Sequence, residues 1–109
     1  MTTKRGVEAK KDSDLRYLEK LMGGPLTLGG ALSALREAEG ESLSQFAQRL
    51  EISRTHLSDI EHGRRSVSLE RAAKFASALG QHQAQFVRLA LQDQVREAGL
   101  KLRVDVHAA

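Results

Sequence analysis

What most limits the folds open to this chain is the stretch 42–65, SLSQFAQRLEISRTHLSDIEHGRR. Ser42 stands three residues before Gln45, the spacing of a capping box, and Leu43, Phe46, Ala47 and Leu50 follow at helical intervals. Only Glu51 and Ile52 then precede Ser53, which can cap a second helix, apolar at Leu57 and Ile60 and stopped by Gly63. A connection so short cannot lay two helices antiparallel, so they must cross steeply. Close crossing needs a small side chain, which Ala47 supplies, and an apolar plug for the angle, which Ile52 supplies. Leu57 and Ile60 then bury the inner face of the second helix. Its outer face carries Arg54, Thr55, His56, Ser58, Asp59 and His62.

The rest of the chain reads as further short helices. Asp12, Ser13 and Asp14 can cap a segment over 15–22, which Gly23-Gly24-Pro25 stops. Thr27 caps a helix over 28–39, with Leu28, Ala31, Leu32 and Leu35 on one face and Gly40 at its end. Ser68 starts another, apolar at Leu69, Ala72, Ala73, Phe75, Ala76 and Leu79 before Gly80. The last runs over 84–98 through Phe86, Val87, Leu89, Ala90 and Val95, and ends at Gly99. Beyond it the period changes. Leu100, Leu102, Val104 and Val106 alternate with Lys101, Arg103 and Asp105, the repeat of a strand with one buried face. A single strand in an all-helical domain cannot satisfy its own backbone groups. It is expected to pair with its symmetry mate in a dimer or with a strand edge of another protein, or else to stay a loose tail.

Composition removes several function classes. At 109 residues the chain suits one domain, and 40% hydrophobic with 28% charged residues is ordinary for a soluble protein. No apolar run approaches the ~20 residues of a membrane span, and none follows Met1 to Arg5 as a secretory signal would. A cytoplasmic protein is expected. The absence of cysteine excludes disulfides, thiolate nucleophiles and cysteine-based zinc sites. Aromatic residues, at 4%, are too few for a platform that stacks single-stranded bases. His56, His62, His82 and His107 lack the spacing of metal ligands. Glu61 beside His62 has no nucleophile to serve. Neither enzyme activity nor a metal or cofactor is expected.

The net charge is only +3, so its distribution matters more. Lys4, Arg5, Lys10 and Lys11 make the N-terminal segment basic, either an arm for DNA or a solvated tail. The polar side chains on the outer face of the helix after Ser53 sit at a protruding helix start. That geometry suits insertion into a major groove, where donors and acceptors on base edges are read.

On these residues the stretch resembles the helix-turn-helix of the lambda-repressor/Cro-like (XRE) family of DNA-binding proteins, with the pattern SLxxFAxRLxISxxxLSDIExGRR. The likeness extends over 27–91. The run from Leu28 to Leu35 with Arg36 and Gly40 resembles the family's first helix, and SLERAAKFASALG its fourth. The resemblance implies that Arg54, Thr55 and Asp59 touch base edges, with His56 and Ser58 close by. An arginine can donate to guanine O6 and N7, and Asp59 can accept from cytosine N4 or pair with a neighbouring arginine such as Arg54 or Arg65. His56 can read a base or a phosphate, or be an exposed polar residue. Ser42 and Ser53 fall where the family grips phosphates, and Arg64 and Arg65 match a loop that contacts the DNA backbone. Arg36 and Glu61 match a structural ion pair between the first and third family helices. Three positions depart from the pattern. Leu43 replaces a DNA-contacting Gln, Glu51 replaces the turn Gly at a cost of ~1 kcal/mol, and Val67 replaces a Pro.

The expected fold is all-α, a five-helix lambda-repressor-like helix-turn-helix domain. The expected boundaries are a basic extension with a short helix over 1–26, the domain over 27–99 and a strand-like tail over 100–109. The expected function is that of a sequence-specific double-stranded DNA-binding transcriptional regulator, a repressor acting as a homodimer, with residues 53–61 in the major groove. A second reading, which resembles many small XRE proteins, is an antitoxin that clamps a protein toxin through its extensions. A third is an interaction module that has lost DNA binding. In either dimer or complex, Leu100, Leu102, Val104 and Val106 would line the contact.

Overall fold

The computed structural model describes residues 26–109. The basic N-terminal segment and the helix expected over 15–22 lie outside the described residues. Five helices follow in order: α1 (Leu28–Ala38), α2 (Leu43–Leu50), α3 (Arg54–Glu61), α4 (Leu69–Ala78) and α5 (Gln83–Glu97).

Each start is written locally. Thr27, Ser42, Ser53 and Ser68 adopt extended backbone, and each side-chain oxygen accepts the N–H three residues ahead. At Ser42 the box is complete, because Gln45 Oε1 accepts the Ser42 N–H in return at 2.9 Å. The ends share another device. In every helix an N–H just past the terminus reaches back five residues, as from Ile52 to Ala47 O and from Arg64 to Asp59 O. That closure requires a left-handed residue. Glycine fills the position in four helices, but in α2 it is Glu51, at φ 58° and ψ 39°.

The core is one cluster in which Leu28, Leu32, Phe46, Leu57 and Leu89 are fully buried. α4 and α5 form the most extensive pair, α1 packs on α3 and α5, and α2 packs on α3 and α4. Val67, one of the positions that depart from the resembling pattern, is buried in that core and fills space. Leu43 and Ile52 are partly buried and pack against its edge. Ile52 is therefore a flank of the corner rather than a fully enclosed plug.

One expectation is overturned. No strand forms among the described residues, and 100–109 carries no regular secondary structure. The Gln92 side chain supplies what a neighbouring strand would. Its Nε2 donates to Leu102 O at 2.7 Å, and its Oε1 accepts from Val104 N–H at 2.8 Å. A primary amide carries both a donor and an acceptor, so it satisfies the two backbone groups that flank Arg103. Val104 and Val106 are half-buried, while Leu100 and Leu102 remain 53% and 61% exposed.

Candidate nucleic-acid interface

The helix α3 begins at a cap, ends at a locked pair, and between them buries Leu57 and Ile60 while Arg54 and Thr55 stay exposed. At its start Ser53 Oγ accepts from His56 N–H at 3.0 Å. Its hydroxyl hydrogen is not used in that bond and stays available to an outside acceptor. The same holds at Ser42, whose Oγ accepts from Gln45 N–H at 3.1 Å. No acidic residue occupies the first turn of α3, so the partial positive charge of the helix start is not cancelled there.

At its end Glu61 is only 4% exposed and meets Arg36 of α1 in a two-pronged pair. Arg36 Nε donates to Oε2 at 2.9 Å, and its terminal nitrogen donates to Oε1 at 3.0 Å. A third N–H of Arg36 reaches Glu41 O at 3.2 Å. The hydrogen bond to Glu61 holds the Arg36 guanidinium above its ordinary pKa, against the opposing effect of burial. A planar fork matched to a carboxylate fixes direction as well as distance, so α3 cannot roll freely on α1.

Two further contacts position α1, and the first of them sets it against α3. Gly29 of α1 lies against the backbone of Ile60. Asp93 of α5 accepts the Leu28 N–H at the start of α1 through Oδ2 at 3.1 Å, and Arg96 through Oδ1 at 3.1 Å. Burial raises the Asp93 pKa, opposed by those two donors. The signal for Gly29 was present in the sequence, as glycine inside a helical run costs ~1 kcal/mol and usually reflects a close approach. Asp93 left no such sign.

The exposed residues differ in how free they are. Arg54 and Thr55 are exposed, and among the described residues no hydrogen bond or ion pair engages either side chain; the same holds for Arg65. Asp59 is engaged. It accepts from Arg64 Nε at 3.0 Å, so its partner is Arg64 rather than Arg54 or Arg65. Ser58 is half-buried, and its carbonyl oxygen lies 2.8 Å from His62 Nδ1. His56 is half-buried beside Arg71 of α4, a residue that the sequence pattern did not single out. Among the described residues no group of His, Cys, Asp and Glu is placed to hold a metal ion, and no helix is long and apolar enough to cross a membrane.

The helix-turn-helix domain family matches residues 27–89, which contain α1 to α4 and the first half of α5. The chain belongs to that family. Among solved structures, this helix-turn-helix chain is similar to the clp gene regulator ClgR of Corynebacterium glutamicum. The two are 35% identical over 60% of this chain and 84% of that one, with a TM-score of 0.50. It is also similar to a hypothetical transcription factor, NHTF, from Neisseria, at 27% identity over 65% of this chain and 79% of that one, again with a TM-score of 0.50. No curated protein is significantly similar to it. In this helix-turn-helix, α2 and α3 are the helices joined by the short turn, and the starts of both are exposed.

Proposed function

We propose that this chain is a sequence-specific double-stranded DNA-binding transcriptional regulator, without enzymatic activity, that inserts α3 into the major groove. The observation that carries this reading is the pair of exposed side chains, Arg54 and Thr55, unengaged among the described residues, at the capped start of a helix locked at its other end by Arg36 and Glu61. Its similarity to a clp gene regulator and to a hypothetical transcription factor supports it. Arg54 and Thr55 read base edges, with His56, Ser58 and Asp59 around them; Asp59 acts through Arg64, which it orients. Ser42, Ser53, Arg64 and Arg65 grip phosphates and set the register. The protein acts in the cytoplasm as a repressor and as a dimer, on half-sites about 34 Å apart.

Selection of bound fragments from random-sequence DNA tests the reading and supplies the operator. On that operator Arg54→Ala costs about 1–3 kcal/mol and relaxes preference at one base pair. Binding weakens steeply as salt rises, because phosphate contacts release counterions. Full affinity and full discrimination in Arg54→Ala would remove Arg54 from the set of readers.

A second role, as an antitoxin holding a protein toxin, is favoured by one observation. Leu100 and Leu102 are large, apolar and more than half exposed on a tail whose backbone is hydrogen-bonded by the Gln92 side chain. Co-purification of a small protein with the chain, lost when both leucines become serine, tests that role.

A further inference from the structure

The recognition helix is not the only source of cations at its own outer edge. Arg71 lies in the first turn of α4, and its backbone N–H is held by the Ser68 cap at 3.1 Å, which fixes where its side chain starts. One terminal nitrogen of Arg71 lies 3.3 Å from Nε2 of His56. A guanidinium has no acceptor, so in this contact Nε2 accepts and the imidazole is neutral, with its proton on Nδ1. Arg71 forms no ion pair with any described residue.

The charged groups facing His56 come from three elements. Arg65 approaches from the loop after α3, Arg71 from α4, and Asp59 from α3 itself. Asp59 is already occupied by Arg64. Burial first, then the two guanidiniums, hold His56 below its ordinary pKa, and Asp59 opposes them. The result is a concentration of positive charge with a neutral imidazole in it, and among the described residues no carboxylate is bound to Arg65 or Arg71.

We propose that Arg71 and His56, together with Arg65, close on one phosphate of the duplex that α3 enters, an inference that rests on the DNA-binding reading of that helix. In the free protein Arg71 donates to His56. A phosphate oxygen is the stronger acceptor for a guanidinium, so Arg71 turns to it. Nε2, relieved of its donor, takes a proton from solvent and donates to the same phosphate. The incoming negative charge stabilises the imidazolium that the two arginines disfavour. Binding therefore takes up one proton, and the His56 pKa is higher in the complex than in the free protein. The extra affinity is fully present below the free-state pKa and is lost as pH rises through the bound-state pKa. Because a phosphate carries no sequence information, the clamp strengthens binding to all duplexes alike.

The experiment uses the full chain with two duplexes, one recovered by selection from a random library and one of unrelated sequence. Dissociation constants are measured against salt and across about pH 5 to 8. Arg71→Ala is expected to weaken binding to both duplexes by the same factor, on the order of tenfold, and to flatten the salt dependence by about one counterion. Arg71→Lys restores part of that loss. Wild-type affinity falls as pH rises, and His56→Gln removes that component. Three results overturn the clamp: Arg71→Ala leaving both duplexes unaffected, Arg71→Ala changing preference at a single base pair, or His56→Gln preserving the wild-type pH profile. A wild-type chain that binds neither duplex refutes the DNA-binding reading itself, an outcome distinct from those three.

Discussion

The α-carbon of Gly29 passes so close to the backbone of α3 that a methyl group in its Cβ position would stand 2.1 Å from the carbonyl oxygen of Ile60. No real side chain tolerates that distance, and the obstacle is backbone, which cannot rotate aside. Gly29→Ala improves helix propensity by ~1 kcal/mol yet must push α1 and α3 apart. A net loss of about 1–3 kcal/mol in chemical denaturation is expected, as for an overpacked core. A gain in stability would show that α1 and α3 are not in this contact.

The Arg36–Glu61 pair is nearly enclosed, so removing one partner strands the other. Arg36→Ala should cost about 3–5 kcal/mol of folding free energy. Arg36→Met combined with Glu61→Leu should recover most of that, because the desolvation cost of both charges disappears with them. Thermal unfolding of the three proteins checks the ordering, and an unchanged melting temperature for Arg36→Ala defeats it.

Glu51 holds a left-handed conformation that costs an L-residue roughly 1–2 kcal/mol, while glycine loses part of that advantage to its freer unfolded state. Glu51→Gly is therefore expected to raise stability by about 1 kcal/mol, read as a higher denaturation midpoint with an unchanged slope.

Asp93 has a folded-state pKa raised above its unfolded value, chiefly by burial. The folded protein then binds more protons than the unfolded chain between those two values. The Asp93 contribution to stability is accordingly greatest below the ordinary carboxylate range and is lost as pH rises through the raised pKa. Asp93→Asn, which keeps an acceptor for the Leu28 N–H, should abolish that downward slope in stability-against-pH curves. Parallel curves for the two proteins would contradict the assignment.

The Gln92 amide is the anchor observed for the C-terminal tail. Gln92→Ala should leave the unfolding free energy of the helical domain within about 0.5 kcal/mol of wild type while abolishing hydrogen-exchange protection at the Val104 amide. Persistent protection there would mean that the tail is held by something other than Gln92.

The amino-acid sequence by itself determined where the helices start and stop and which of their faces are buried. Capping by Thr27, Ser42, Ser53 and Ser68, closure at Glu51 and the glycines, and the spacing of Phe46, Leu57 and Leu89 all act within a few residues, so a linear pattern carries them. The alternation of Leu100 to Val106 pointed to a strand, and no strand forms there. What it could not reveal was that a side-chain amide on α5 would serve in place of a strand. Tertiary structure alone decided that Gly29 meets Ile60, that Asp93 reaches the start of α1 from 65 residues away, that Asp59 is taken by Arg64, and that α4 delivers Arg71 to His56. Those contacts depend on the angles at which helices cross and on side-chain conformations. Both are set by packing across the whole core, and no local run of residues encodes them.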